Sequence, residues 1–209
     1  MSTNNTIIAI SREFMSGGHA IGKLLAKALG YNFYDKEILA MASESSGIKP
    51  EIMESMDEKP ASSFLYSVAM NFLSPDQIHP WYSDVPMDQQ VYQAQADAVR
   101  KAAEEGPCVI VGRSAGYILD DCPNLINIFI HAPVEDRIKK LMTEDKVSYN
   151  KAKESVTKTD KRRANYYNTY TGKKWGEPDD YDLCLNTSKL DDETAVALLK
   201  DFVEKLKKA

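Results

Sequence analysis

Ala9-Ile-Ser-Arg-Glu-Phe-Met-Ser-Gly-Gly-His-Ala-Ile-Gly-Lys-Leu-Leu-Ala-Lys-Ala-Leu-Gly30 decides the fold. The apolar, β-branched run Thr6–Ser11 suits a strand covered on both faces. A Gly-bearing turn follows. Ile21, Leu24, Leu25, Ala28 and Leu29 then recur at helical spacing, and Gly30 is a natural helix stop. Strand, glycine turn and helix together make a phosphate cradle, in which backbone N–H groups and a helix N-terminus face the anion. The usual phosphate-loop pattern, G-x-x-x-x-G-K-[ST], is incomplete. Arg12 stands at the first Gly, and Gly18 and His19 stand at the Lys and hydroxyl positions.

The same alternation continues outward. Asn32–Asp35 is a short strand ending in a carboxylate, and a helix starts at Lys36–Ala42. Asp88–Glu105 has no breaker and predicts one long helix that ends at Gly106-Pro107. Cys108–Gly112 and Leu125–Ile130 are buried strands. After His131-Ala-Pro133 a helix begins with Pro133 near N1 and Glu135 and Asp136 in its first turn. Val147–Asn165 is charged and helical, Tyr181–Asn186 is the last strand, and Asp191 opens a C-terminal amphipathic helix. Strands alternating with helices imply crossover units: an α/β fold whose parallel sheet carries helices on both faces. Residues 43–87 are the least regular part, with Pro50, Pro60, Pro75, Pro80 and Pro86 around a helical stretch marked by Phe64, Leu65, Val68, Phe72 and Leu73. They read as a helical segment that either covers a substrate or only packs on the core.

Composition narrows the function. A chain of 209 residues, 43% hydrophobic and 27% charged, predicts a single domain, 1–209. Its net charge of −5 argues against nucleic acid as a partner. There is no apolar run of membrane-spanning length and no leader pattern, so neither a membrane partner nor export is expected. Cys108, Cys122 and Cys184 form no CxxC pair. They read as free thiols of a reducing cytosol, and the predicted location is cytoplasmic. His19, His79 and His131 lack ligand spacing, so no metal-ligating residues are assigned. Oligomeric state is not legible.

Gly112-Arg113, Asn165-Tyr-Tyr167, Tyr170-Thr-Gly-Lys-Lys-Trp-Gly176 and Tyr181-Asp-Leu-Cys-Leu-Asn-Thr187 resemble the cytidylate kinase-like family, a branch of the P-loop nucleoside monophosphate (NMP) kinases, over nearly the whole chain. The resemblance implies a three-layer P-loop kinase-like fold: a five-stranded parallel sheet, a helical NMP-binding insertion at about 43–87 and a basic lid at about 156–178. It also implies phosphoryl transfer from ATP, with Mg²⁺, to a small nucleotide substrate. Ser16 and Gly17 match the family's phosphate loop. Asp35 matches the strand-end Asp before the NMP helix, and Arg113 the Arg that contacts the substrate phosphate. Arg137 matches the Arg of the helix after the fourth strand. Asp160 and Arg163 match the lid's Asp-x-x-Arg, with Lys158 near the place of another lid Arg. Ser114 departs from the family's Asp, and the loop Lys is missing.

The residues themselves leave alternatives open. Gly17 and Gly18 permit positive φ, so that successive N–H groups form an anion nest. His19 either donates to phosphate or lies on the surface. Arg12 is placed to supply the lost cation and Lys23 less so, unless Arg12 pairs with Glu13 or another surface acid. Arg113 follows a buried strand at the carboxyl end of the sheet, where such folds bind ligands; the bland alternative is a salt bridge to Asp120 or Asp121. Asp35 either helps hold Mg²⁺ or caps a helix. Lys158, Lys161, Arg162, Arg163, Lys173 and Lys174 form either a lid or a solvated face. Tyr166, Tyr167, Tyr170 and Trp175 either stack on a base or pack the lid hinge. The expected catalytic set is thus Arg12, Arg113, Arg163 and Asp160. Ser16, Gly17, Gly18 and His19 are expected at the ATP phosphates, and Asp35, Arg113 and Arg137 at the acceptor. The rival function is a nucleotide-binding or regulatory module with a degenerate loop.

Overall fold

The computed structural model describes residues 5–59 and 85–207. In chain order the elements are β1 (Ile7–Arg12), α1 (Gly18–Leu29), β2 (Asn32–Tyr34), α2 (Glu37–Ser46), α3 (Pro50–Ser55), α4 (Met87–Glu104), β3 (Cys108–Val111), α5 (Ala115–Ile118), β4 (Leu125–His131), α6 (Val134–Asp145), α7 (Tyr149–Thr171), β5 (Leu183–Asn186) and α8 (Asp192–Leu206). The five strands pair in the order β2-β3-β1-β4-β5. Every pairing is parallel, and β1 lies in the middle between β3 and β4. The expected five-stranded parallel α/β fold is therefore the observed one.

Strand periodicity explains the layers. Side chains alternate across a strand, so Ile7 and Ala9 of β1, with Cys108 and Ile110 of β3, face α2, α3, α4 and α5. Ile8, Ile10, Val109, Val111, Ile128 and Ile130 face the other way, onto α1 and α8. Apolar residues at consecutive positions are what a doubly covered strand requires. A smaller cluster joins Ile138 and Leu141 of α6 to Ala152 and Val156 of α7, and Phe14 and Met15 of the loop after β1 pack against it. The loop after β1 is thereby rooted in a helical hairpin remote from it in sequence.

Several boundaries differ from the sequence reading. The helix expected from Lys36 runs Glu37–Ser46, with Lys36 as its N-cap. Pro133 is the N-cap of α6 rather than its first helical residue. The charged helix expected at Val147–Asn165 continues to Thr171 and stops at Gly172, whose φ of 70° ends it. Residues 156–171 of the expected lid thus belong to one uninterrupted helix. Asp191 does open the last helix, its carboxylate accepting from Thr194 N at 2.7 Å. The helix marked by Phe64, Leu65, Val68, Phe72 and Leu73 lies outside the described residues. All three cysteines are free: Cys108 and Cys122 are buried, and Cys184 is half-buried. Among the described residues, no helix is long and apolar enough to cross a membrane.

Candidate functional site

The parallel sheet delivers its carboxyl ends to one edge. Arg12 ends β1, Asp35 follows β2, and Gly112-Arg113-Ser114 follows β3. Side chains from this edge and from α7 and the segment after it line a cleft of about 260 Å³, part of it open to solvent, together with Glu58 from the turn after α3. Arg12, Arg113, Arg163, Tyr166 and Trp175 are among its walls.

The loop from Glu13 to Gly17 is held by backbone geometry and by distant side chains. Met15 and Gly17 take φ of 65° and 87°, turning the chain tightly enough for α1 to start at Gly18. Gly18 lies directly on Arg12, and a Cβ there would approach Arg12 Cβ to 2.5 Å. The Ser16 hydroxyl lies 2.8 Å from Glu13 O and 3.1 Å from Ile130 O, bracing the loop from within. The Thr187 hydroxyl donates to Ser16 O at 2.8 Å. The first turn of α1 contains no acidic residue, so its N–H groups and the positive end of the helix dipole are uncompensated by α1 itself. His19, in that turn, is more than half exposed and places Nδ1 2.9 Å from Asp35 Oδ2.

Two ionic clusters organise the rest. In the first, Arg12 Nη1 lies 2.5 Å from Glu58 Oε1, and Arg163 Nε donates to the other Glu58 oxygen at 2.9 Å. Arg163 also donates to Arg12 O at 3.1 Å. Arg113 donates to Asp57 through Nε at 3.2 Å and Nη2 at 2.9 Å, a bidentate fork. Its Nη1 pairs with Asp35 and donates to Val111 O at 3.1 Å. Burial alone would raise the Glu58 carboxyl, but Arg12 and Arg163 outweigh it and hold the group below the ordinary carboxylate range. For Asp57 burial wins over Arg113, and its carboxyl is pushed up. Burial disfavours the Arg113 cation, yet Asp57 and Asp35 hold it charged. Arg163 is shifted down, first by burial and then by Arg12 beside it.

In the second cluster Arg137 is buried and donates to Ala132 O at 2.9 Å and Phe14 O at 3.0 Å. It pairs with Asp160 at 2.5 Å and Glu13 at 3.3 Å. The other Asp160 oxygen accepts from Phe14 N at 2.7 Å. This cluster clamps the loop after β1 to α6 and α7.

Gly112, Arg113 and Ser114 adopt three consecutive left-handed conformations, with φ of 84°, 51° and 53°. Such backbone is costly for residues with a Cβ and concentrates at ligand sites. Ser114 is buried and its hydroxyl has no hydrogen-bond partner among the described residues. A buried hydroxyl without a partner in the wall of a cleft is unused hydrogen-bonding capacity.

A model of the cytidylate kinase-like family matches residues 7–189. The chain belongs to that family. A cytidylate kinase of Staphylothermus marinus is 26% identical over 125 residues, 60% of this chain and 66% of that one. One from Ignicoccus hospitalis is 23% identical over 195 residues, 93% and 97% of the two chains. The alignment with the Staphylothermus enzyme thus spans just under two thirds of that relative's length, although the Ignicoccus match is nearly end to end. Among solved structures, an uncharacterized protein from Eubacterium ventriosum superposes with a TM-score of 0.68 at 30% identity, covering 96% of this chain and 99% of its own. A shikimate kinase from Bacteroides thetaiotaomicron, at 13% identity and TM-score 0.55 over 95% and 98% of the chains, shares the fold.

For this member of the cytidylate kinase-like family, the structure gathers Arg12, Arg113 and Arg163 around one cleft, with Gly18 packed on Arg12 and His19 paired with Asp35, while Ser16 and Gly17 brace and turn the loop before α1. Arg137 and Asp160 sit together behind the loop instead. Arg12 is buried against Glu58, not paired with Glu13. Arg113 finds Asp35 and Asp57, not Asp120 or Asp121. Asp35 does not cap α2 with its side chain. Tyr166 and Tyr170 pack with Tyr92, the Tyr92 and Tyr170 rings stacked at 4.1 Å, and Tyr166 donates to Gln95 Oε1 at 3.0 Å. Sequence reasoning missed Asp57 and Glu58. Both lie in the irregular stretch 43–87, and only the tertiary fold shows that their carboxylates face arginines.

Proposed function

We propose that this protein transfers a phosphoryl group from ATP to a nucleoside monophosphate of the cytidylate type or a related small acceptor. The observation that carries the reading is the convergence of Arg12, Arg113 and Arg163 on one cleft beside a glycine-turn helix N-terminus. Phosphoryl transfer is chiefly positioning and stabilisation of spreading negative charge. The N–H groups at Gly17, Gly18 and His19 receive the ATP phosphates, with Ser16 bracing the loop. Arg12 stands in for the loop cation, an interaction worth roughly 3–4 kcal/mol in a water-poor site. Arg113 forks onto the acceptor phosphate, Asp35 orients it, and the Ser114 hydroxyl supplies a polar contact to the acceptor. Arg163 neutralises the transferring group. Arg137 and Asp160 act one layer back, as positioning residues for the loop.

Mg²⁺ suits this donor set as a companion of the nucleotide. Among the described residues, no group of three or more His, Cys, Asp or Glu side chains is arranged to hold a metal. Asp35, whose oxygens pair with Arg113 and His19, is the carboxylate that would share an ion with phosphate oxygens and water.

The test is ADP formation from ATP·Mg²⁺ over a panel of nucleoside monophosphates, with Arg113→Ala as control. Turnover of one acceptor, falling about 10²–10³-fold in the variant, is the expected result. A second reading, a nucleotide-binding module without turnover, draws on the absent loop Lys and on the carboxylates covering the arginines. Saturable nucleotide binding with no ADP from any acceptor would establish that reading and end the first.

A further inference from the structure

The arginines of the cleft are already neutralised from within. Arg12 and Arg163 share Glu58 while Arg113 takes both Asp57 and Asp35, so three carboxylates face three guanidinium groups. An ATP phosphate chain carries several negative charges, and a cleft that is neutral before it arrives gives it no net attraction. Asp35 belongs to the sheet edge. Asp57 and Glu58 do not: they lie in the turn after α3, and each makes contacts a phosphate would make. Glu58 bridges two guanidinium groups with its two oxygens, at 2.5 Å to Arg12 and 2.9 Å to Arg163. Asp57 accepts the planar fork of Arg113, the geometry with which Arg grips a phosphate. Glu58 reaches its place with a φ of 49°, a backbone conformation that a glutamate rarely adopts. A Cβ at Gly112 would run into the Arg12 guanidinium and the Glu58 carboxylate, so the Arg12–Glu58 pair fits here only because residue 112 has no side chain.

We propose that Asp57 and Glu58 are an internal stand-in for the substrate phosphates, and that nucleotide binding is an exchange of anions in which Glu58 leaves Arg12 and Arg163. The inference rests on the reading of the cleft as a phosphate site and adds its regulation. The free protein holds its arginines assembled and charge-paired, and a ligand must bring enough negative charge to replace two carboxylates. Single phosphates and small carboxylates then bind poorly, while a polyphosphate bridging Arg12 and Arg163 binds well.

The experiment uses the full chain, with inorganic tripolyphosphate and ATP as probes. In calorimetric titrations, Glu58→Gln, which removes the competing charge and keeps the shape, is expected to bind tripolyphosphate at least about tenfold more tightly than the wild type. Equal or weaker binding by the folded variant overturns the proposal. Because the variant leaves two guanidinium groups short of a partner, hydrogen exchange on the wild type gives an independent decision. Adding tripolyphosphate should deprotect the amides of residues 56–59 while protecting those of residues 13–18. Unchanged or increased protection at 56–59 with the anion bound overturns the exchange. The two ideas fail separately: anion exchange with no phosphoryl transfer to any acceptor sinks the kinase reading alone, and turnover with no gain in Glu58→Gln sinks the stand-in alone.

Discussion

Ser114 shows how much one residue in this cleft is asked to tolerate. It holds a left-handed backbone, a buried position and an unpartnered hydroxyl at once. Ser114→Gly removes the conformational penalty and the orphaned group together. It should stabilise the free protein by about 1 kcal/mol in chemical denaturation, while weakening the acceptor's apparent affinity in the turnover assay. A variant less stable than the wild type would show that the strain is compensated locally. Glu58 sets a second expectation, through pH. Its folded pKa is depressed below its ordinary value of 4.5, so the stability it contributes is full above that value and is lost as pH falls beneath it. Asp57 is shifted upward, mainly by burial. It takes up its proton more readily in the folded state, which opposes the loss at first. The thermal midpoint should therefore hold nearly level to about pH 4.5 and then drop, with a shallower drop in Glu58→Gln; parallel curves would contradict this assignment. At this scale the sequence was legible where chemistry is local. Gly17, Gly18 and Arg113 announce themselves by spacing, whereas the partners of Arg113 do not. Asp120 and Asp121 are nearer along the chain, but the left-handed turn at Gly112-Arg113-Ser114 directs the guanidinium to the ends of β2 and α3 instead.

The elements carry a different kind of information. Helix periodicity located α4 to within a residue at each end, because no Gly or Pro interrupts Met87–Glu104 and Gly106 follows. The same reasoning ended α7 too early. Asn165-Tyr-Tyr167 looks like the end of a charged surface helix, yet Tyr166 and Tyr167 are buried and the helix continues to Thr171. Packing of Tyr166 against Tyr92 and Gln95 of α4 supplies what local propensity does not show. α7 also reaches the phosphate loop through Asp160. Asp160→Ala removes an acceptor from Phe14 N and leaves Arg137 buried with half its ion pairing. A loss of about 3 kcal/mol in denaturant unfolding is expected, together with weaker ATP binding, although Asp160 is not placed in contact with the nucleotide. Gly18→Ala makes the complementary point, since the new methyl meets Arg12 Cβ at 2.5 Å in rigid surroundings. A cost of about 1–3 kcal/mol is expected, with ATP affinity reduced in calorimetry as Arg12 is pushed from its place.

For the whole molecule, the doubly covered sheet and both core faces follow from hydrophobic runs that the chain displays openly. Ile7–Ile10 and Cys108–Val111 are apolar at every position, and only a sheet covered on both sides accepts that. The cleft was less legible because its acids come from a polar turn whose burial depends on elements far apart in sequence. A ligand that bridges this cleft must stabilise the entire fold. At a hundred times its dissociation constant, ATP should add about 2.7 kcal/mol, read as a rise in melting temperature. No rise with ATP or with any monophosphate would remove the nucleotide from the picture.

The phosphate loop follows the first strand, yet its anchors come late. Glu13 is met by Ala132 N, Phe14 by Arg137 and Asp160, and Ser16 by Thr187, across separations of 119 to 171 residues. During synthesis the set cannot be complete until Thr187 has left the ribosome, and non-local contacts of this kind carry the largest closure entropy. The loop is thus translated well before the residues that hold it in shape. On the proposed reading, the capacity to hold phosphate would then be complete only once Thr187 is in place.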